Sequence, residues 1–386
     1  MNGVGGGAVR AAILCDYREE GWASMDLVAE MVLGHLRARP EGDVDASAVV
    51  PTWRRRAGRL GGSGLARNAD RLLNRLVDYP RELRRIVRDS PFDVYHVIDH
   101  SYSQLVHVLP AGRSVVTCHD LDAFRCLLDP AAEPRPKWFR AVSRRILRGM
   151  QRAAAVACNS EATRDAILAR GLVPAERLHV TYVGAAREFS AEADPAADAE
   201  IARLLGVGPG VGPALLHVGT NIPRKRIDVL LEVFAAVRRE VPGARLWKAG
   251  GALQAEFQEH ARRLGVAGSI VTLPFLSRAQ LAAVYRRADL ALFPSEAEGF
   301  GLPVAEAMAC GAPVLLSDIP AFREVGGPAA RYAPVADVPA WTAAAVSLLS
   351  SPPSPDARAA ALQWSSRFRW STHADQLAGI YRSLCG

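Results

Sequence analysis

Glu298 and Glu306 stand with seven residues between them in the stretch Phe293-Pro294-Ser295-Glu296-Ala297-Glu298-Gly299-Phe300-Gly301-Leu302-Pro303-Val304-Ala305-Glu306-Ala307-Met308. Two carboxylates at that spacing could form an acid–base couple, but their setting suggests ligand binding. The apolar run Asp289–Phe293 reads as a buried parallel strand, Pro303 suits a first helical position, and Gly311 with Pro313 ends the helix. A strand, a glycine turn and a helix N-terminus make an anion site, because unpaired backbone N–H groups point at whatever sits there. Glu306 is expected near the first turn. An acid there repels a lone phosphate but can accept hydrogen bonds from the paired hydroxyls of a ribose, so the stretch suits a sugar nucleotide. The plainer reading is a first-turn acid complementing the helix dipole after an ordinary Gly-x-Gly turn.

Two further segments offer chemistry. Leu215–Asp228 reads as a strand, a short loop and a helix beginning near Asp228, with Lys225 in the loop on the carboxyl side of the sheet. A cation there can neutralise a diphosphate whose charge grows as a glycosidic bond breaks; the alternative is a solvated Arg224-Lys225-Arg226 triplet. In Ser114-Val115-Val116-Thr117-Cys118-His119-Asp120-Leu121 a histidine follows a strand, either facing a cleft or serving the structure.

These residues need elements to hold them. At 386 residues the chain suits two domains, and 49% hydrophobic with 23% charged residues is an ordinary soluble balance with material for both cores. Short β-like runs alternate with helical segments, the pattern of doubly wound α/β architecture. Strands are predicted near 10–16, 45–50, 93–98, 113–118, 154–159 and 178–183. After the alanine-rich acidic stretch around 190–203 they resume near 214–219, 244–249, 269–274, 289–294, 312–317 and 329–333. Two Rossmann-like domains facing a cleft follow, with ligands at the carboxyl ends of strands. The expected boundaries are 1–195, 196–355 and a terminal segment 356–386. Gly3–Gly7 precedes the first strand, so it is a loose tail and not a dinucleotide loop.

The net charge of +7 rests almost wholly on arginine, with lysine only at 137, 225 and 248. Residues 53–88 hold eleven arginines against three acids, and residues 135–152 hold seven basic residues and no acid. In the second stretch Phe139, Val142, Ile146 and Met150 recur at helical spacing, with Arg140, Arg144 and Arg148 on another face. Such a helix is either a solvated surface helix packing one stripe on its own domain or a surface for anionic membrane or an anionic acceptor. Nucleic acid is not expected as a partner, because no motif or aromatic interleaving accompanies the charge. The six cysteines lack metal spacing, and no apolar run approaches a membrane span. The start lacks the order of a signal peptide, so a cytoplasmic protein is expected.

The Phe293–Met308 stretch closely resembles the Glu-x7-Glu signature of the family 4 (group 1) glycosyltransferases of the GT-B fold, which use nucleotide sugars with retention of anomeric configuration. The Gly219-to-Asp228 loop is similar to the family's Pro-x-Lys loop, with Lys225 at the pyrophosphate-binding lysine and Thr220 where an arginine often stands. The His119-Asp120 segment is like the one that places a histidine by the reacting sugar. Ser160–Arg164, the Gly250-Gly251 turn, and a terminal segment with Trp370 and Tyr381 match weaker markers, the last as a helix returning to the first domain. The start departs most: of the usual Gly-Gly loop only Gly21 is present, flanked by Trp22, and these two are the acceptor-side candidates.

The resemblance implies a retaining, metal-independent hexosyltransferase. It would move a hexose from a nucleotide diphosphate sugar to a glycan, lipid-linked or small-molecule acceptor, with no cofactor. Glu306 would bind the ribose, Lys225 and Arg224 the diphosphate, and Glu298 the sugar hydroxyls. Thr220, Gly299, Phe300, Gly301 and Leu302 would complete the donor site, and His119 would stand against the transferring sugar. Asp120-Leu121-Asp122 imitates an Asp-x-Asp metal motif but is not expected to hold metal. A peripheral place at the inner membrane face accompanies the basic helix. The rival is a non-catalytic sugar-nucleotide-binding scaffold in a glycan-assembly complex.

Overall fold

The structure, a computed structural model, describes residues 7–40, 42–56, 64–206 and 212–386. The glycine tail, apart from Gly7, and residues 57–63 of the first basic stretch lie outside the described residues. The chain divides into two compact units, Met1–Tyr182 with Trp370–Gly386, and Val183–Arg369.

The first unit is built on β1 (Val9–Leu14), β2 (Val44–Val49), β3 (Val94–Val97), β4 (Ser114–Cys118), β5 (Ala155–Cys158) and β6 (Leu178–Val180). All pair in parallel in the order β2-β1-β3-β4-β5-β6. β3, β4 and β5 are buried at every residue, as strands covered by helices on both faces must be. The chain leaves β1 toward β2 and returns on the other side as β3, so the switch in direction lies between β1 and β3. Leu14 pairs with Val97, which brings the segments after β1 and β3 out of the sheet side by side.

The last helix, Trp370–Ser383, packs on helix Ala23–Arg37 of this unit. Its Tyr381 hydroxyl lies 2.5 Å from Nδ1 of the fully buried His96, whose Nε2 lies 2.7 Å from Thr117 Oγ1. Burial pushes that imidazole down to about 3 and keeps it neutral. His373 Nδ1–H donates to the Thr181 carbonyl at 3.0 Å.

The second unit carries β7 (Ala214–Val218), β8 (Arg245–Ala249), β9 (Ile270–Thr272), β10 (Leu290–Phe293), β11 (Val314–Ser317) and β12 (Arg331–Ala333). They form a parallel sheet in the order β12-β11-β10-β7-β8-β9. All twelve strands lie where the apolar runs predict, and the two-sheet α/β architecture follows. Here the switch lies between β7 and β10. Ala291 pairs with Leu216 and Val218 with Ala249, so β7, β8 and β10 end level and their loops emerge together. Ligands of open α/β sheets bind at such a point.

The basic helix spans Lys137–Arg152, burying Ser143, Ile146, Gly149 and Met150 and exposing Arg144 and Arg148. Among the described residues no helix is long and apolar enough to cross a membrane.

Candidate active site

The loop after β7 runs from Gly219 to a 3-10 turn, Pro223–Lys225, and helix Ile227–Glu240. The loop after β10 runs from Pro294 to helix Leu302–Ala309. Glu296 N–H donates to the Arg224 carbonyl at 2.9 Å, and an Arg224 guanidinium N–H donates to the Ala297 carbonyl at 3.0 Å. These bonds lock the loops together and set the side chains between them. Lys225 Nζ donates to Glu298 Oε1 at 2.5 Å, and Arg224 Nη1 to Glu298 Oε2 at 2.6 Å.

This triad is no surface salt bridge. The side chains of Glu298, Lys225 and Arg224 are only 6%, 12% and 18% exposed, where charges interact more strongly than in water. Burial alone would raise the Glu298 carboxyl. The Lys225 and Arg224 charges outweigh it and hold the group below the ordinary carboxylate range. One carboxylate faces two cations, so the cluster carries net positive charge where a diphosphate oxygen could replace a carboxylate oxygen.

Gly301 caps helix Leu302–Ala309 at φ 103°, and a Cβ there would stand 2.8 Å from the Phe322 ring, so only glycine fits. Phe300 is buried with its ring 5.4 Å from that of Phe368, while Leu302 is half-buried in the first turn. Glu306 is the fifth helical residue, at the end of the first turn, because the helix begins at Leu302, one residue before Pro303. It is buried and accepts from the Tyr285 hydroxyl at 3.1 Å. Burial pushes its carboxyl up to about 8 against that hydrogen bond and the charge of Arg278, so it holds a proton at neutral pH. A protonated carboxyl can both donate to and accept from a hydroxyl, which suits a ribose.

Thr220 is exposed and lines a cavity of about 750 Å³ with Asn221, Arg226, Gly250, Gln254 and Glu296. Glu298, Lys225 and Glu306 do not line this cavity. Pro223, Arg226 and Glu296, from the two loops that carry the triad, do line it.

In the first unit His119 directly follows β4, as its position in sequence predicts. Its Nε2–H donates to the Ile98 carbonyl at 2.8 Å, which fixes the tautomer and leaves Nδ1 as the acceptor nitrogen. Burial holds its pKa below the ordinary imidazole value, with the His100 charge assisting and Asp99 opposing. Asp120 Oδ1 accepts from the Asp122 N–H at 3.0 Å and lies 3.7 Å from His100 Nε2. Gly21, at φ 75°, ends a short turn, and Trp22 is 47% exposed. Trp22 Nε1–H donates to Glu20 at 3.1 Å, and the Arg71 guanidinium stands over its ring.

Family models match most of this chain in two pieces. Residues 209–361 match the glycosyl transferases group 1 model, and residues 33–188 match the glycosyltransferase family 4 model. The chain belongs to the group 1 glycosyltransferases. It is 37% identical over 193 residues to a D-inositol 3-phosphate glycosyltransferase of Segniliparus rotundus, covering 46% of this chain and 41% of that one. It is 28% identical over 316 residues to the O-antigen chain mannosyltransferase B of Escherichia coli, covering 79% and 78%. The match thus spans less than half the length of the D-inositol 3-phosphate glycosyltransferases, and over three quarters of the mannosyltransferase. Among solved structures, the sucrose-phosphate synthase of Thermosynechococcus elongatus superposes with a TM-score of 0.76 at 18% identity, covering 97% of this chain and 99% of that one. The Anabaena protein HepE, solved with UDP and glucose, gives 0.71 at 18% identity, covering 97% and 100%. The fold is GT-B.

Two further features of this chain escape a reading of the sequence. Asp16 and Asp99 emerge together after β1 and β3, both buried and 83 residues apart in sequence. Burial first, then the charge of Asp99, raises the Asp16 carboxyl well above its ordinary range, while His100 and His119 keep Asp99 ionised. Only the strand order β1-β3 brings them together. The other is Lys248, fully buried beneath the loop after β7. Its signal was present in sequence: a lysine inside an apolar strand of a chain with three lysines.

Proposed function

We propose that this chain is a retaining hexosyltransferase that takes its sugar from a nucleoside diphosphate sugar without a metal ion. The observation that carries this reading is the pairing of both Arg224 and Lys225 with Glu298 at the mouth of helix Leu302–Ala309. As the donor enters, its diphosphate takes the two cations, and Glu298, released from them, turns to the sugar hydroxyls. The cations then meet growing charge on the leaving diphosphate, which is where fixed positive charge lowers a barrier. Glu306 holds the ribose. Gly301 lets the backbone of Gly299 to Leu302 approach a phosphate or sugar oxygen, and Thr220 borders the same loop. His119 stands against the transferring sugar.

The acceptor is a glycan, a lipid-linked sugar or a small molecule, received through the first unit, with Gly21 and Trp22 as weaker candidates. The protein works in the cytoplasm at the inner membrane face. That part rests on helix Lys137–Arg152, whose first turn carries Trp138 at 57% exposure beside Lys137 and exposed arginines.

The test is slow hydrolysis of a panel of UDP-, GDP- and ADP-sugars in EDTA, without acceptor. Wild type should hydrolyse at least one, and Glu298→Gln and Lys225→Ala should abolish it. Binding of a nucleoside diphosphate with no turnover, across varied acceptors, would favour the scaffold reading.

A further inference from the structure

Lys248, on β8, is fully buried and sits on the floor of the donor-side loops. Its Nζ donates to the Gly219 carbonyl at 2.5 Å, the Ala249 carbonyl at 3.0 Å and the Gly251 carbonyl at 3.5 Å. All three acceptors are backbone carbonyls, and among the described residues no carboxylate pairs with the ammonium. A buried cation without a counter-ion is costly and persists only where its hydrogen bonds are satisfied.

The surroundings are built around this contact. Gly219 N–H donates to the Ala249 carbonyl at 3.1 Å, so the loops after β7 and β8 touch directly. A Cβ on Gly250 would lie 2.6 Å from the Gly219 oxygen, and a Cβ on Gly219 would lie 3.0 Å from His217 Nε2. The same Gly219 Cβ position is 3.6 Å from Cδ and Cε of Lys225, so the Lys225 stem lies over Gly219. A continuous path therefore runs from Lys248 Nζ through Gly219 to the Lys225 stem and on to Glu298.

We propose that Lys248 is a positioning residue of the donor site: it ties the two loops together from below, fixes where Lys225 stands, and adds a third positive charge, to those of Arg224 and Lys225, beneath the diphosphate. The proposal rests on the reading of Lys225 as the diphosphate-binding cation. The titratable groups facing Lys248 are Lys225, from the loop above, and His217, on β7. His217 donates from Nδ1 to the Leu292 carbonyl at 2.9 Å and is held neutral by burial, so it adds no further positive charge beside the ammonium. Burial first, then the charge of Lys225, pushes the Lys248 ammonium down to about 8. An arriving diphosphate favours the protonated form, so binding takes up a proton near that pH.

Two measurements test this. The first needs no nucleotide: hydrogen–deuterium exchange of the segment 219–226 in the full chain, corrected for intrinsic rate. Wild type should exchange slowly at pH 7 and faster at pH 9.5, and Lys248→Met should match the fast limit at both pH values while peptides of β10 are unchanged. The second is calorimetric binding of UDP, GDP and ADP in two buffers of different ionisation enthalpy at pH 8. Proton uptake should accompany binding in wild type and be smaller in Lys248→Met, where only Glu306 still titrates near that pH, and the affinity of that variant should fall about tenfold. Unchanged exchange of 219–226 in wild type between the two pH values, or in Lys248→Met, would overturn the proposal, even if that variant proves unstable and only the wild-type arm is read. Failure of every nucleotide to bind wild type would instead count against Lys225 as the diphosphate cation, leaving the exchange measurement to decide the tie between the loops.

Discussion

Lys225 Nζ stands 2.5 Å from Glu298 Oε1, although the two residues lie on loops 73 residues apart. They meet because β7 and β10 are parallel neighbours whose ends are level. The pair is the hinge of the donor-site account, and it separates two substitutions that would otherwise look alike. Lys225→Ala removes a diphosphate contact and should weaken nucleoside diphosphate binding by about 10- to 100-fold, the range of a charged hydrogen bond. Glu298→Gln removes a competitor for both cations, so the same nucleotide should bind equally well or tighter while donor turnover is lost. Calorimetry beside donor hydrolysis reads both effects.

Glu306 gives a stability signature. Its folded-state pKa, about 8, lies above that of an exposed glutamate, so between pH ~4.5 and pH ~8 the folded protein holds a proton that the unfolded chain releases. Stability should fall as pH rises through that window, by up to about 5 kcal/mol from this group. In Glu306→Gln that contribution disappears, so the variant should gain on wild type in melting temperature between pH 5 and pH 8. Parallel thermal scans at four pH values measure it.

Burial holds His119 below its ordinary pKa. Any step that its titration leaves in the pH profile of donor turnover should therefore lie below the ordinary imidazole value near ~6.5. His119→Asn should lower turnover at least tenfold and keep the shape of the wild-type profile above that value.

Gly301→Ala should cost about 1–3 kcal/mol, since φ 103° is forbidden to alanine and its Cβ would press on the Phe322 ring. Chemical denaturation gives the number, and nucleotide affinity should drop with it because the loop that carries Glu298 must shift.

Helix Lys137–Arg152 should carry any attraction to membrane. Sedimentation with vesicles containing anionic phosphatidylglycerol should be salt-sensitive, and it should fall in Arg144→Glu with Arg148→Glu and in Trp138→Ala. Failure of wild type to sediment at low salt removes this part of the account.

Much of the fold was legible because parallel strands buried on both faces are uninterrupted apolar runs, as at Leu290–Phe293 and Ala155–Cys158. Glu298 and Lys225 were legible for a related reason: each follows such a run by a few residues, which puts it at the ligand edge of the sheet. What the sequence could not place depends on strand order and on the geometry of one cap. Asp16 and Asp99 become neighbours only because β3 returns beside β1. Glu306 meets Tyr285 from the fifth helical position, because Gly301 in the left-handed conformation starts that helix at Leu302, one residue ahead of Pro303. Lys248 looked like a strand residue because it is one; its role comes from three carbonyls supplied by two loops.

The most direct test of the central claim, that the second unit binds and activates a nucleoside diphosphate sugar through Lys225, Arg224 and Glu298, is donor turnover across UDP-, GDP- and ADP-sugars in EDTA. The account predicts release of nucleoside diphosphate from at least one donor by wild type, lost in Lys225→Ala and in Glu298→Gln while both variants remain folded. Turnover that survives both substitutions, or that requires an added divalent metal, would contradict it.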